Sequence, residues 1–192
     1  MLDRMFSPGN IKLGRILNFS LPPVTTCPGA TSWCKKHCYA RKGYLKAGSI
    51  QKRWQENYEL TQREDFVDIA VKLLERWKKK GYKIVRLHVA GDFYSQEYLN
   101  KWFEIARRLP DIKFVAYTRS WMLNFANKPA NMLIYYSVDP ETRHFPAKKM
   151  PLAFVPETLA PEGTHKCQYP KVTCDKCMFC YNGKGDVAFS IH

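Results

Sequence analysis

Seven cysteines fall into two groups: Cys27, Cys34 and Cys38 near the start of the chain, and Cys167, Cys174, Cys177 and Cys180 near its end, with none between. Cysteine used as a small core hydrophobe would be scattered, so the grouping points to metal ligands. The split into three and four bears on the chemistry. Four thiolates saturate a tetrahedral zinc or the irons of a [4Fe-4S] cluster, whereas three leave one position open, where a small molecule can bind and react. The N-terminal trio therefore reads as a working site and the C-terminal quartet as structural or electron-relaying. The C-x2-C-x2-C run at Cys174, Cys177 and Cys180 favours an iron–sulfur cluster, because zinc sites more often use separated C-x2-C pairs. Zinc in both groups is the alternative, with His37 or His165 completing the first.

The rest of the chain must position these groups. At 192 residues it is one domain of ordinary size, and 45% apolar with 14% aromatic residues is the composition of a folded chain. No run approaches a membrane span and the N-terminus has no signal-peptide core, so a cytoplasmic protein is expected. A reducing compartment and an odd cysteine total both disfavour a disulfide framework. The net charge of +14, from 31 Lys and Arg against 17 Asp and Glu, is enough to attract a polyanion or a phosphorylated substrate. Its local concentrations are Lys35 to Lys52 and Lys78 to Lys83.

Periodicity outlines the elements. Arg15–Ser20 reads as a first strand, ended by Pro22 and Pro23 just before the cysteine loop. Ser49–Lys80 reads as one helix or two in series, stopping at Gly81. Lys83–Ala90 is an apolar, β-branched strand leading into Gly91-Asp92. A helix follows over Gln96–Leu109, with Ser95 as its N-cap. Strands are expected at Lys113–Tyr117, Met132–Ser137 and Leu152–Val155, a short helix at Trp121–Asn127, and a last strand at Asp186–Ile191. Strands alternating with helices give a parallel sheet, in which all strand C-termini share one rim. The cysteine loop, Gly91-Asp92, Thr118-Arg119 and Ser137 with Asp139 would then meet around one pocket.

Assembled in this order, the motifs resemble a shortened radical S-adenosylmethionine (SAM) barrel. Cys34-Lys35-Lys36-His37-Cys38-Tyr39 stands at the cysteine loop of that superfamily. Ala90-Gly91-Asp92 resembles its Gly-Gly-Glu turn, and Ser137-Val138-Asp139 a later strand end. Nearly the whole chain is similar to small phage radical-SAM-like proteins of the gene-product eighty-eight family. The shared features are a Cys-Pro-Gly-Ala loop, a Cys-Tyr-Ala ending, a four-cysteine C-terminal group and a last strand followed by histidine, here His192. The spacing C-x6-C-x3-C differs from the usual C-x3-C-x2-C of the superfamily, and Asp92 replaces its glutamate.

The resemblance implies an α/β fold: a partial (βα) barrel with a parallel sheet over residues 1–150, carrying the three-cysteine site, and a Cys-rich metal-binding extension over 151–192. It implies a [4Fe-4S] cluster on Cys27, Cys34 and Cys38, with SAM bound at the open iron and cleaved reductively to a 5′-deoxyadenosyl radical. Tyr39, Gly91, Asp92, Thr118, Ser137 and Asp139 would line the SAM site, and Arg119, His88 and Tyr94 would contact substrate or move protons. A second [4Fe-4S] cluster, or zinc, would sit on Cys167, Cys174, Cys177 and Cys180. The expected partners of this monomer are an electron-donor protein and, from its charge, a nucleotide or nucleic-acid substrate. Two other readings stand beside this one. In the first, the open iron acts as a Lewis acid or sulfur carrier without radicals; in the second, the chain is a zinc-stabilised nucleic-acid-binding module.

Overall fold

Apolar residues alternate along each expected strand, and in the structure that alternation sorts them onto two faces of a single sheet. The computed structural model describes residues 4–191, so His192 lies outside it. Strands β1 (Leu17–Phe19), β2 (Ile84–Leu87), β3 (Lys113–Thr118), β4 (Met132–Val138), β5 (Leu152–Phe154), β6 (His165–Lys166) and β7 (Val187–Ala188) form a seven-stranded sheet of order β1-β2-β3-β4-β5-β7-β6. Every pairing is parallel. The α/β class and the parallel sheet are as expected. The sheet is open, with β1 and β6 as its two edges. β5, β6 and β7 continue the sheet of the first four strands, so no gap in the sheet falls at residue 150.

On one face, Leu17, Phe19, Val85, Leu87, Phe114, Ala116, Met132, Ile134 and Tyr136 meet α3 (Phe66–Lys79) and α4 (Gln96–Arg108) in the main core. Trp102 of α4 is its largest fully buried side chain, packed edge-on to Phe19 at 5.2 Å and Phe66 at 5.6 Å between ring centroids. On the other face, Ile84, Val115, Tyr117, Leu133, Tyr135, Ala153 and Val187 form a second cluster with the C-terminal residues Cys167, Cys174, Phe179, Cys180 and Tyr181. A period of two sends successive side chains to opposite faces. Helices therefore cover one side, and the cysteine-rich tail fills the other.

Several boundaries differ from the sequence reading for local reasons. The helical stretch is two helices, α2 (Gly48–Thr61) and α3, with Gln62–Asp65 between them. β2 stops at Leu87 rather than Ala90 because His88 adopts φ 57°, a left-handed conformation that takes the chain out of the sheet. Residues 121–127 form turns rather than a helix: the Asn124 side chain accepts from the Ala126 N–H (2.9 Å), and Gln96 takes the Asn124 N–H (2.7 Å). Side chains that capture nearby backbone groups in this way compete with helix formation. Two short helices were not anticipated, α1 (Ser32–Lys36) and α5 (Cys174–Cys177), one within each cysteine group. No helix among the described residues is long and apolar enough to cross a membrane.

Trp102→Ala should cost about 3–5 kcal/mol of folding stability, as large aromatic truncations in a close-packed core do. Chemical denaturation measures it; a loss under about 1 kcal/mol would mean that α4 is not packed on the sheet as described.

Candidate functional site

The cysteine loop leaves β1 through Ser20 to Pro23 and is drawn against the end of β2. Gly91, at φ 82°, makes this approach possible: a Cβ there would stand 2.6 Å from Leu21 Cβ and 2.6 Å from Thr26 Oγ1. Gly29 allows a second close approach, since its Cβ would meet the Arg119 carbonyl oxygen at 1.9 Å. The glycine of Cys-Pro-Gly-Ala thus lays the loop on the turn after β3. Thr31 then caps α1, its hydroxyl accepting from the Cys34 N–H at 3.0 Å.

A polar network ties the strand ends to this loop. Asp92, after β2, accepts from the Thr118 hydroxyl (2.6 Å), the Arg119 N–H (2.7 Å) and the Phe93 N–H (2.7 Å). The Arg119 guanidinium, after β3, donates to the Ser137 carbonyl (3.0 Å) and pairs with Asp139 at 2.8 Å. Asp139 in turn accepts from the Thr31 hydroxyl at 2.6 Å. The path runs Asp92, Arg119, Asp139, Thr31, Cys34, and joins the ends of four consecutive parallel strands. Burial raises the pKa of Asp92 to about 6 although its three donors oppose this. Burial likewise pushes the Cys27 thiol up to about 12, and it raises Cys34 despite the adjacent Arg119 charge.

All seven cysteines are free, partly exposed, and on the wall of one cavity of about 580 Å³. Each of Cys27 and Cys34 is disfavoured as a thiolate by charge on Cys38, so the trio shares a neighbourhood. Cys167 has the same effect on both Cys174 and Cys180. Among the described residues, no three His, Cys, Asp or Glu side chains are gathered as ligands of a metal ion. The C-terminal group is anchored at both ends. The Cys167 N–H bonds to the Ala188 carbonyl on β7 (2.8 Å), and the Cys174 and Asp175 N–H groups bond to the Lys12 and Leu13 carbonyls (2.9 and 3.2 Å), just before β1. Asp175 also accepts from the Arg15 N–H at 3.0 Å. The tail therefore spans the inner face of the sheet from one edge to the other.

Tyr39, Gly91, Asp92, Arg119 and Ser137 reach the cavity together with the cysteines, and Thr118 and Asp139 stand directly behind them in the network. The Tyr39 hydroxyl donates to the Val89 carbonyl. His37 also lines the cavity; its Nδ1 donates to the Trp33 carbonyl (2.9 Å), which leaves Nε2 with the lone pair. His165 stacks on Phe179 at 3.7 Å, with its Nε2 buried and unpartnered. Tyr94 is placed elsewhere: its hydroxyl meets Thr61 at 2.9 Å and its ring stacks on Tyr98. The His88 side chain turns into the core, with Nε2 2.9 Å from the Tyr98 hydroxyl and its ring edge-on to Phe93. Burial lowers its pKa to about 3, so His88 stays neutral near pH 7. Tyr94 is thus not part of the cavity lining, whereas His88 borders it with its ring packed into the core.

Sequence reading overlooked the inner-face residues Arg86, Tyr117, Tyr135 and Tyr181. Arg86 left a signal, as the single charge inside the apolar run Ile-Val-Arg-Leu. Its guanidinium lies 4.0 Å from the Tyr117 ring centroid, Tyr117 stacks on Tyr135 (5.1 Å), and the Tyr135 hydroxyl donates to the Cys180 carbonyl at 3.0 Å. A row of cation and rings thus runs across β2, β3 and β4 to the C-terminal cysteines.

Comparison with known proteins adds a family. The sequence pattern of the family described as "Gene product 88" matches residues 4–154, which includes the three-cysteine loop and the first five strands. A "Gene 88 protein" of Mycobacterium phage D29 is 31% identical over 218 aligned positions, covering 95% of this chain and 90% of its own. Its counterpart in Mycobacterium phage L5 is 28% identical over 217 positions, with the same coverage. These alignments include the C-terminal cysteines that the family pattern leaves out. No solved structure matches the chain.

Two outcomes follow from this geometry. Gly91→Ala should destabilise the protein by more than Gly81→Ala. Both positions have left-handed backbones, worth about 1–2 kcal/mol to a residue with a Cβ, but a Cβ at Gly81 finds nothing nearer than an arginine tip at 3.8 Å. Equal losses in thermal melts would mean that the cysteine loop does not press on Gly91. The second outcome concerns pH. His88 has a folded pKa near 3 against an ordinary 6.5, so its contribution is fully present above about pH 6.5 and is lost as pH falls toward 3. Between these limits the unfolding free energy of the wild type should fall more steeply than that of His88→Asn, by up to about 1.4 kcal/mol per pH unit for one proton. Parallel slopes would place His88 in solvent.

Proposed function

The chain belongs to the Gene product 88 family, and from the shape and donors of its cavity we propose that it is an iron–sulfur enzyme of the radical SAM type. One observation carries the reading: a group of three thiols and a group of four open into the same cavity, the first at the rim where parallel strands end. That rim is where open α/β sheets place their ligands.

The donor set suits the cofactor. Cys27, Cys34 and Cys38 offer three thiolates and no fourth, and they line a cavity large enough for a cluster together with a small molecule. When bound, the cluster would supply one electron to the SAM sulfonium, breaking a carbon–sulfur bond to give methionine and a 5′-deoxyadenosyl radical. The protein would hold and shield.

Each residue has a task under this reading. Arg119 stabilises the Cys34 thiolate by its adjacent charge and is itself fixed by Asp139 and Ser137. Gly91 and Asp92 present backbone and carboxylate at the rim, with Asp92 oriented by three donors. Thr31 holds the Cys34 backbone. Cys167, Cys174, Cys177 and Cys180 would hold a second cluster or zinc; as a cluster it would supply an electron relay from a donor protein or a contact to substrate. Lys35 and Lys36 lie between the last two cysteines of the trio, Arg41, Lys42 and Lys46 follow it in sequence, and Lys42 lines the cavity. This local positive charge supports an anionic substrate such as a nucleotide or a nucleic-acid strand.

The test is anaerobic purification followed by reduction with dithionite in the presence of SAM. About eight iron and eight sulfide per chain are expected for two clusters, with release of 5′-deoxyadenosine. Cys34→Ala should abolish that release, and Cys177→Ala should retain it. Iron-loaded wild type that never yields 5′-deoxyadenosine would refute the radical reading.

A further inference from the structure

Arg86 sits on β2 with its side chain directed to the inner face of the sheet, half-buried and on the cavity wall. A guanidinium withdrawn from water needs an anionic or hydrogen-bonding partner, because removing an unpaired charge from solvent costs several kcal/mol. The other arginine that lines this cavity, Arg119, has such a partner in Asp139. Among the described residues no carboxylate pairs with Arg86. What it has is the face of Tyr117 and one weak bond from Nε to the Leu87 carbonyl at 3.2 Å. The Tyr181 hydroxyl and the Cys174 and Cys180 thiols also lie near it, and its terminal nitrogens form the planar fork that suits an oxyanion.

A second, independent feature lies beside it. The Tyr181 residue is 2% exposed, lines the same cavity, and its hydroxyl has no hydrogen-bond partner. A buried hydroxyl without a partner costs about 1–3 kcal/mol, and here the neighbouring polar group is itself a donor. The hydroxyl oxygen can accept from Arg86, but its own proton has no acceptor, so a guanidinium beside a free hydroxyl proton defines a place for one.

We infer that Arg86 and Tyr181 form an oxyanion subsite on the cavity wall, between the two cysteine groups, which takes a carboxylate or phosphate group of a small-molecule ligand. Arg86 supplies charge and a two-pronged donor, and Tyr181 a third hydrogen bond. The stacked rings of Tyr117 and Tyr135 fix the guanidinium from below. The inference uses the same cavity as the proposed radical chemistry and gives its substrate an anionic handle, but it requires neither iron nor SAM to be true.

Full-length protein is titrated with inorganic phosphate, and separately with acetate, at constant ionic strength balanced with chloride. Binding is read by calorimetry and by the shift in thermal midpoint. The expected result is saturable one-site binding of at least one of the two, about tenfold or more weaker in Arg86→Met and several-fold weaker in Tyr181→Phe, and unchanged in the exposed control Lys52→Met. Because the Tyr181 hydroxyl has no partner, Tyr181→Phe should be at least as stable as wild type without ligand, so a folding defect in Arg86→Met leaves the test intact. Wild-type affinity in Tyr181→Phe, or stabilisation that follows ionic strength alone, overturns the subsite. Iron-loaded protein that binds phosphate through Arg86 but never yields 5′-deoxyadenosine would refute the radical reading and leave this one standing; an active enzyme indifferent to both substitutions would do the reverse.

Discussion

The ion pair between Arg119 and Asp139 is the constraint on which the site depends. It is almost wholly withdrawn from solvent, with side-chain exposures of 11% and 0%. A buried pair of this kind adds little net stability, but breaking it strands a charge, so it fixes geometry strongly. What it fixes is the relation between β3, which ends at Thr118, and β4, which ends at Val138. Through Asp92 it includes β2, and through Thr31 it includes the loop after β1. Four strand ends that converge by topology alone would do so loosely. This network gives the convergence a single arrangement and holds it against Cys34.

A second constraint acts from the other side. A parallel sheet must be covered on both faces, and here α3 and α4 cover only one. The inner face is covered instead by a tail with little regular structure of its own, whose short elements are held by the sheet. Its bonds to Lys12 and Leu13 before β1, and to Ala188 on β7, one strand in from the opposite edge, fasten it at both ends. An open sheet thereby gains a half-open cavity. The same arrangement explains why residues as far apart in sequence as Cys38 and Cys167 face one cavity, and why a cation on β2 meets tyrosines from β3 and the tail.

Much of this was legible in the sequence, and for identifiable reasons. The grouping of cysteines, the run of apolar strands and the polar residues at strand ends are local signals, and parallel topology turns them into a shared rim. The order of β5, β7 and β6 was not legible, since β6 and β7 are two residues each and are placed by their neighbours rather than by propensity. His88 was expected at the site; it borders the cavity, but its left-handed backbone packs the ring against Phe93 and Tyr98. Asn124 likewise replaced an expected helix with turns by bonding its own backbone. The inner-face tyrosines read as ordinary core residues, which they largely are. Only the lone arginine among them marked the face as polar, and its significance depends on a tail that docks from about ninety residues away.

The central claim is that the trio of thiols presents an iron with a vacant position to SAM. Electron paramagnetic resonance of the anaerobically purified, dithionite-reduced chain, recorded with and without SAM, tests it most directly. The account predicts an iron–sulfur signal that SAM perturbs in the wild type and that Cys34→Ala removes, while the signal of the second cluster persists. A signal indifferent to SAM, or zinc with no iron–sulfur signal at all, would contradict it.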